Sequence, residues 1–177
     1  MSDMRVETSL GDITAQSVDA IVNAANSWLL GGGGVDGAIH AAAGPELLQQ
    51  CRALRAGQYR DGLPTGQAVA TEAGRLPCRW VIHTVGPNRH AGQTDPALLR
   101  SAYARSLAVA EELGAASVAF PAISAGVYGW DARDVAEQAV AAVREHQRSF
   151  PDSPIDLVRH VLFSESIRQA FDEALAH

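Results

Sequence analysis

The chain contains no lysine; all 14 of its basic residues are arginine. That excludes any catalytic lysine, and it excludes a Walker A loop, whose phosphate contact is a lysine ammonium. Cysteine is also scarce. Cys51 and Cys78 are the two present, too few for a secreted disulfide framework and without partners at metal-ligand spacing. Both are expected to be reduced structural thiols. No apolar run approaches the ~20 residues of a membrane span. The stretch Met1-Ser2-Asp3-Met4-Arg5 lacks the apolar h-region of a signal peptide, so a cytoplasmic protein is expected. The formal net charge is −6, which disfavours a broad nucleic-acid-binding face.

What remains is a chain of 177 residues, 47% hydrophobic, enough for one compact domain over 1–177 with its own core. Short apolar runs alternate with longer amphipathic ones. Arg5 to Thr8 alternates like an edge strand, and Ala20-Ile21-Val22-Asn23 reads as a buried one. Val35 to Ala43 carries Val35, Ile39 and Ala42 at helical spacing. Gly44-Pro45 ends that helix and starts the next. Gln67–Thr71 and Trp80–Val85 predict strands, followed by a helix over 96–113, a strand over 117–120 and a helix over 131–147. Leu157–Phe163 and Glu165–Ala176 complete the pattern as strand and helix. Such alternation predicts an α/β sandwich around a mostly parallel sheet. Runs that follow each other without a long helix, Arg5 with Ala20 and Gln67 with Trp80, are candidates for antiparallel neighbours.

Three unusual segments fall after strands, where α/β sheets place ligands. The first is Asn23-Ala24-Ala25-Asn26 with the run Gly31 to Gly34, Val35 and Asp36. Four consecutive glycines are costly to order, and these lead into a helix whose first N–H groups favour an anion. That combination predicts a pocket for a phosphate-bearing nucleotide. Gly32-x-Gly34-x-x-Gly37 matches the dinucleotide fingerprint in letters only. Nine residues, Ala24 to Gly32, separate it from the strand, and no acidic strand end follows about 20 residues later. The second segment is Ser124-Ala125-Gly126-Val127-Tyr128-Gly129, either a backbone nest for phosphate oxygens or an ordinary tight turn. The third is Phe163-Ser164. Asp12 sits in a turn, either accepting from a base or closing an Asx-turn. His40 and His83 are expected to be hydrogen-bonded core histidines. The other histidines form no ligand pattern, and no serine sits in a nucleophile elbow.

With these pieces in place the chain resembles the macrodomains, in particular the MacroD-type ADP-ribosylhydrolases. The matching residues are Gly11-Asp12-Ile13-Thr14, Asn23-Ala24-Ala25-Asn26, Gly31 to His40, Val81 to Pro87 and Phe120 to Ser124. The resemblance implies a three-layer α/β/α fold with a six-stranded mixed sheet and an ADP-ribose cleft across the strand ends. It implies that Asp12 binds the adenine amino group, with Ile13 and Phe163 near the base. It places Gly33, Gly34 and Val35 on one side of the diphosphate, and Ser124, Ala125, Gly126, Val127 and Tyr128 on the other. Asn26 would hold the distal ribose and Asp36 would place an attacking water, making these two the catalytic candidates. Whether Asp36 or a phosphate of the ligand activates the water stays open.

The activity implied is removal of mono-ADP-ribose from modified acidic side chains. Alternatives are a non-catalytic reader, or a hydrolase acting on O-acetyl-ADP-ribose or ADP-ribosylated nucleic acid. The expected partners are ADP-ribose and mono-ADP-ribosylated proteins, with no membrane, no metal, no cofactor and a monomeric state. Two positions depart from the family's habit. Ala125 stands where a threonine is common, and Trp130-Asp131 replaces an aromatic residue followed by proline, with Asp131 expected to cap the next helix.

Overall fold

The computed structural model describes residues 4–177. Its strands are β1 (Arg5–Leu10), β2 (Ala20–Ala25), β3 (Ala68–Glu72), β4 (Trp80–Val85), β5 (Ser117–Phe120) and β6 (Leu157–Leu162). Its helices are α1 (Gly34–Ala43), α2 (Pro45–Ala56), α3 (Pro96–Leu113), α4 (Ala132–Ser149) and α5 (Glu165–Ala176). Short 3-10 turns occupy Ile13–Ala15 and Arg89–Ala91. The strands form one sheet in the order β1-β6-β5-β2-β4-β3. Every pairing is parallel except that of β3 with β4. No helix among the described residues is long and apolar enough to cross a membrane.

Period-two alternation divides the core. Val22, Ile82, Val118, Phe120, Val158 and Leu162 point to one face and pack with α3, α4 and α5. Ile21, Val81, Ala119 and Val161 point to the other, where Ile39, Ala43 and Leu47 of α1 and α2 cover them. Both faces of the central strands are therefore buried, which is why they read as continuous apolar runs. The helix boundaries follow local chemistry. Asp95, Asp131 and Ser164 accept from the first-turn amides of α3, α4 and α5. Gly114 ends α3 in the left-handed conformation.

Two expectations need correction. β1 is not a neighbour of β2; it pairs in parallel with β6, with β6 and β5 lying between it and β2. β6 is largely buried on both faces and has a strand on each side, whereas β1 is half-buried and suits an edge. β2 also continues to Ala25, so Asn23 lies within a strand and not at its end. The antiparallel pairing expected for Gln67 with Trp80 is present as β3 with β4.

Across the sheet from α1, His160 of β6 is fully buried among Phe120, Phe171 and Tyr103, with ring centroids 5.8, 5.0 and 6.2 Å away. Burial depresses its pKa to about 4, and that of the buried His83 to about 3. Both values lie below the ordinary 6.5, so the unfolded chain binds these protons first. The stabilisation is complete above pH 6.5 and is lost as pH falls towards the folded values. Denaturant titrations should show stability falling below pH 6.5, by at most ~1.4 kcal/mol per pH unit for each buried histidine. His160→Phe should flatten that slope; an unchanged slope would refute the assignment.

Candidate functional site

Because β1, β6, β5, β2 and β4 are all parallel, their C-terminal ends meet along one rim of the sheet. The loops that follow them appear there in spatial order. Asp12 and Phe163 stand at one end, Ser124–Gly129 in the middle, and Asn26 with the glycine run beyond it. The rim is thus a linear sequence of polar loops.

At the first end, Gly11 N–H donates to the Leu162 carbonyl (3.2 Å), drawing the segments after β1 and β6 together. Asp12 closes an Asx-turn: its Oδ1 accepts from Thr14 N (2.9 Å) and Thr14 Oγ1 (2.7 Å). These bonds, the side-chain one foremost, hold its carboxyl below the usual range. Both use Oδ1, so the Asx-turn leaves Oδ2 for another donor. Ile13 is only 6% exposed and serves the α1-side core. Phe163 is 64% exposed, an aromatic ring in solvent at the rim.

The middle loop is held from below. Tyr103 Oη donates to the Pro121 carbonyl and accepts from Ile123 N–H, both at 3.2 Å. Ser124 is left-handed (φ 68°), its Oγ buried without a hydrogen-bond partner. Such a conformation costs about 1–3 kcal/mol in a non-glycine residue. Gly86, after β4, makes room for it: a Cβ there would strike Ser124 Oγ and come within 2.5 Å of Ile123 Cγ2. The N–H groups of Gly126, Val127 and Tyr128 donate to no carbonyl among the described residues. Val127 is 86% exposed. Asp131 caps α4 as expected, accepting from Arg133 N–H (2.9 Å).

At the far end, Asn26 organises the glycine run. Its Oδ1 accepts from Trp28 N–H (3.0 Å) and its Nδ2 donates to the Gly31 carbonyl (3.2 Å). Gly31 and Gly34 have φ of 92° and 57°, values that an L side chain resists. The first amide to enter the α1 ladder is Gly37, donating to Gly33 (3.2 Å). The N–H groups of Gly34, Val35 and Asp36 therefore point outward. Gly32 lies between the two catalytic candidates. The Cβ that it lacks would be 3.2 Å from both Asn26 Nδ2 and Asp36 Oδ2.

Asp36 is a first-turn residue of α1 with 5% exposure. Its Oδ1 accepts from Asn23 Nδ2 (2.8 Å) and lies 3.4 Å from His40 Nε2. Its Oδ2 is buried without a partner. Burial raises its pKa, opposed by the Asn23 hydrogen bond and by His40. Tyr128 shares this environment; burial, and then the Asp36 charge, raise its phenol pKa. The structure thus brings Asn26, Asp36, Tyr128 and the glycine amides together. Asp12, Ile13 and Phe163 stand apart at the other end of the rim.

Sequence reading assigned no role at the site to Asn23, Gly37, Tyr103 or Gly86. It placed His83 in the core, and that histidine is hydrogen-bonded there to Asn23 and Thr71. The signal for Asn23 was present: an amide within an apolar strand needs a reason to be buried. A separate groove of about 470 Å³ between α3 and α4, lined by Pro96, Ala104, Ala142 and Phe150, shares no residue with the rim. Polar side chains, among them Arg100, Gln138, Glu145 and His146, line it as well.

Residues 22–139 match the model of the Macro domain family. The chain belongs to that family. A macro domain-containing protein of Streptomyces griseus is 58% identical over 166 residues, covering 94% of this chain and 92% of its own. A protein of Escherichia fergusonii named O-acetyl-ADP-ribose deacetylase is 49% identical over 170 residues, covering 96% and 89%. A Trypanosoma brucei macrodomain solved in complex with ADP-ribose is 35% identical, with a TM-score of 0.86, covering 96% of this chain and 68% of its own. In this macro domain the six-stranded mixed sheet and five helices are those of the solved relatives.

Proposed function

We propose that this macro domain binds ADP-ribose along the rim and hydrolyses ester-linked ADP-ribose, releasing it from mono-ADP-ribosylated acidic side chains of proteins. The observation that carries the reading is Asp36: a buried carboxylate with one unpartnered oxygen, facing Gly32 beside the Asn26 amide. Asp12 Oδ2 accepts from the adenine amino group, with Phe163 and the edge of Ile13 against the base. The diphosphate lies between the amides of Gly33, Gly34 and Val35 and those of Ser124, Ala125, Gly126, Val127 and Tyr128. Asn26 and Tyr128 hold the distal ribose.

Water then adds to the anomeric carbon of that ribose. The bond to the acyl oxygen breaks, the carboxylate departs with the electron pair, and the water's second proton goes to Asp36. A carboxylate leaves without a strong acid, so one base and a positioned water suffice. Burial raises the basicity of Asp36, which favours this role, and held geometry supplies much of the rate. The protein acts as a cytoplasmic monomer and meets nucleic acid only as an ADP-ribosylated substrate. A second reading, favoured by the name of the E. fergusonii relative, is removal of acetate from O-acetyl-ADP-ribose, also an ester of the same sugar.

The test is label release from a protein mono-ADP-ribosylated on glutamate, run beside O-acetyl-ADP-ribose. Release from the protein substrate is expected, with loss in Asn26→Ala. Tight ADP-ribose binding without release from either substrate would identify a reader instead.

A further inference from the structure

Beneath Asp36 lies a hydrogen-bonded chain that no contact with ligand explains. Asn23 of β2 and His83 of β4 are register partners, side by side on the α1-facing side of the sheet. Asn23 Nδ2 lies 2.8 Å from Asp36 Oδ1 and 3.1 Å from His83 Nδ1. On the far side of the ring, His83 Nε2 lies 2.9 Å from Thr71 Oγ1 of β3 and 3.9 Å from Cys51 Sγ of α2. Asn23 and His83 are fully buried, and the Asn23 Oδ1 carbonyl has no partner.

The donors fix the direction. An ionised Asp36 oxygen only accepts, so the Asn23 amide presents its NH2 group. The second amide hydrogen points at His83 Nδ1, which must then be the acceptor of the ring. A neutral imidazole with Nδ1 accepting carries its proton on Nε2, from which it donates to Thr71 Oγ1. Reversing the amide would let its carbonyl accept from an Nδ1–H form of the His83 ring, but it would take the NH2 group away from Asp36. It would also set Asn23 Oδ1 2.8 Å from an ionised carboxylate oxygen, a repulsive contact. Only one arrangement of this chain is compatible with an ionised Asp36.

We infer that the Asn23–His83–Thr71 chain positions the catalytic base: it holds Asp36 ionised, with Oδ1 tethered and Oδ2 turned to the reacting ribose. This rests on the hydrolase reading above. Asn23, His83 and Thr71 are positioning residues, since none needs to touch substrate. The titratable groups that face Asp36 are His40 from its own helix, His83 from β4, Cys51 from α2 and Tyr128 from the loop after β5. Burial pushes the Cys51 thiol up to about 11 and raises the Tyr128 phenol, so both stay neutral near pH 7. Burial likewise keeps the His83 ring neutral, at about 3. The Asn23 amide is therefore the neutral donor that opposes the cost of burying the Asp36 charge.

The test uses the full-length chain. A long-range proton–nitrogen NMR spectrum should find the His83 proton on Nε2. The Asp36 carboxyl carbon is then titrated in the wild type and in His83→Phe, His83→Gln and Thr71→Val. Glutamine can still accept from Asn23 and donate to Thr71, whereas phenylalanine can do neither. Thr71→Val is isosteric and guards against a variant that fails to fold.

His83→Phe and Thr71→Val should raise the Asp36 midpoint, by up to about one pH unit, and His83→Gln should restore it. On an ADP-ribosyl ester, kcat should fall roughly ten- to hundredfold with KM unchanged, and the acid limb of the pH profile should move up with the midpoint. A merely structural role would lower the melting temperature and leave the midpoint where it was. An Nδ1–H ring in the wild type, or one common midpoint in all folded variants, overturns the inference. If the wild type hydrolyses no ester, the proposed activity falls, and the titration alone still decides the chain.

Discussion

Asp36→Asn is expected to remove turnover and leave the fold at least as stable at pH 7. Loss of a general base costs roughly 10²- to 10⁴-fold in rate. The stability half follows from burial. Asp36 has its pKa raised, chiefly by desolvation, so the native state holds this proton more tightly than the unfolded chain does. Its contribution to stability is therefore present below about 3.8 and is lost as pH rises through the folded value. Once ionised, the side chain is a cost borne by the fold. Asparagine keeps an oxygen to accept from Asn23 Nδ2 and carries no charge. Thermal unfolding at pH 7 and pH 4, with release rates in parallel, reads both halves. A variant with wild-type turnover would remove Asp36 from the chemistry. One that folds normally but melts well below wild type at pH 7 would contradict the electrostatic account.

The second large effect separates two glycines only four positions apart. Gly37→Ala should destabilise by about 1–3 kcal/mol, because the new Cβ would lie 2.5 Å from the Gly32 carbonyl oxygen. That contact is backbone against helix, so the loop must move away from α1. Gly33→Ala meets no atom within 4 Å, and its φ of −96° suits any residue. Its methyl group instead enters the space assigned to the diphosphate. Calorimetric titration with ADP-ribose, beside melting curves, should show weaker binding at unchanged stability for Gly33→Ala. Gly37→Ala should lose both. Equal binding by Gly33→Ala and wild type would mean that the diphosphate does not pass over this amide.

Much of this was legible in the chain. β2, β4 and β5 are apolar because both of their faces are covered, and the pattern reports that directly. Pro45, Pro96, Gly114 and Asp131 mark helix ends through local bonding alone. The sheet order was less legible. Nothing in Arg5 to Leu10 says that its partner is β6 and not β2, because the choice depends on which strand still lacks a neighbour. The same limit applies to the site. Asn26, Asp36 and the glycines are adjacent in sequence and could be read together. His83 and Thr71 reach Asn23 only through strand pairing, so their part in the chain emerges from the assembled sheet. Gly86 is similar: its lack of a side chain has meaning only once Ser124 is found folded against it.

The placement of β6 between β1 and β5 has a consequence during synthesis on the ribosome. The first strand is made early, but its partner begins at Leu157, near the end of the chain. Asp12 and Phe163 are brought to the same corner only when that late strand inserts. A nascent chain shorter than this carries α1, the glycine run and Asp36, yet β1 still lacks the strand that brings Phe163 beside Asp12. Pairing over such a separation is slow to form, so the corner that joins Asp12 and Phe163 should be completed among the last events of folding.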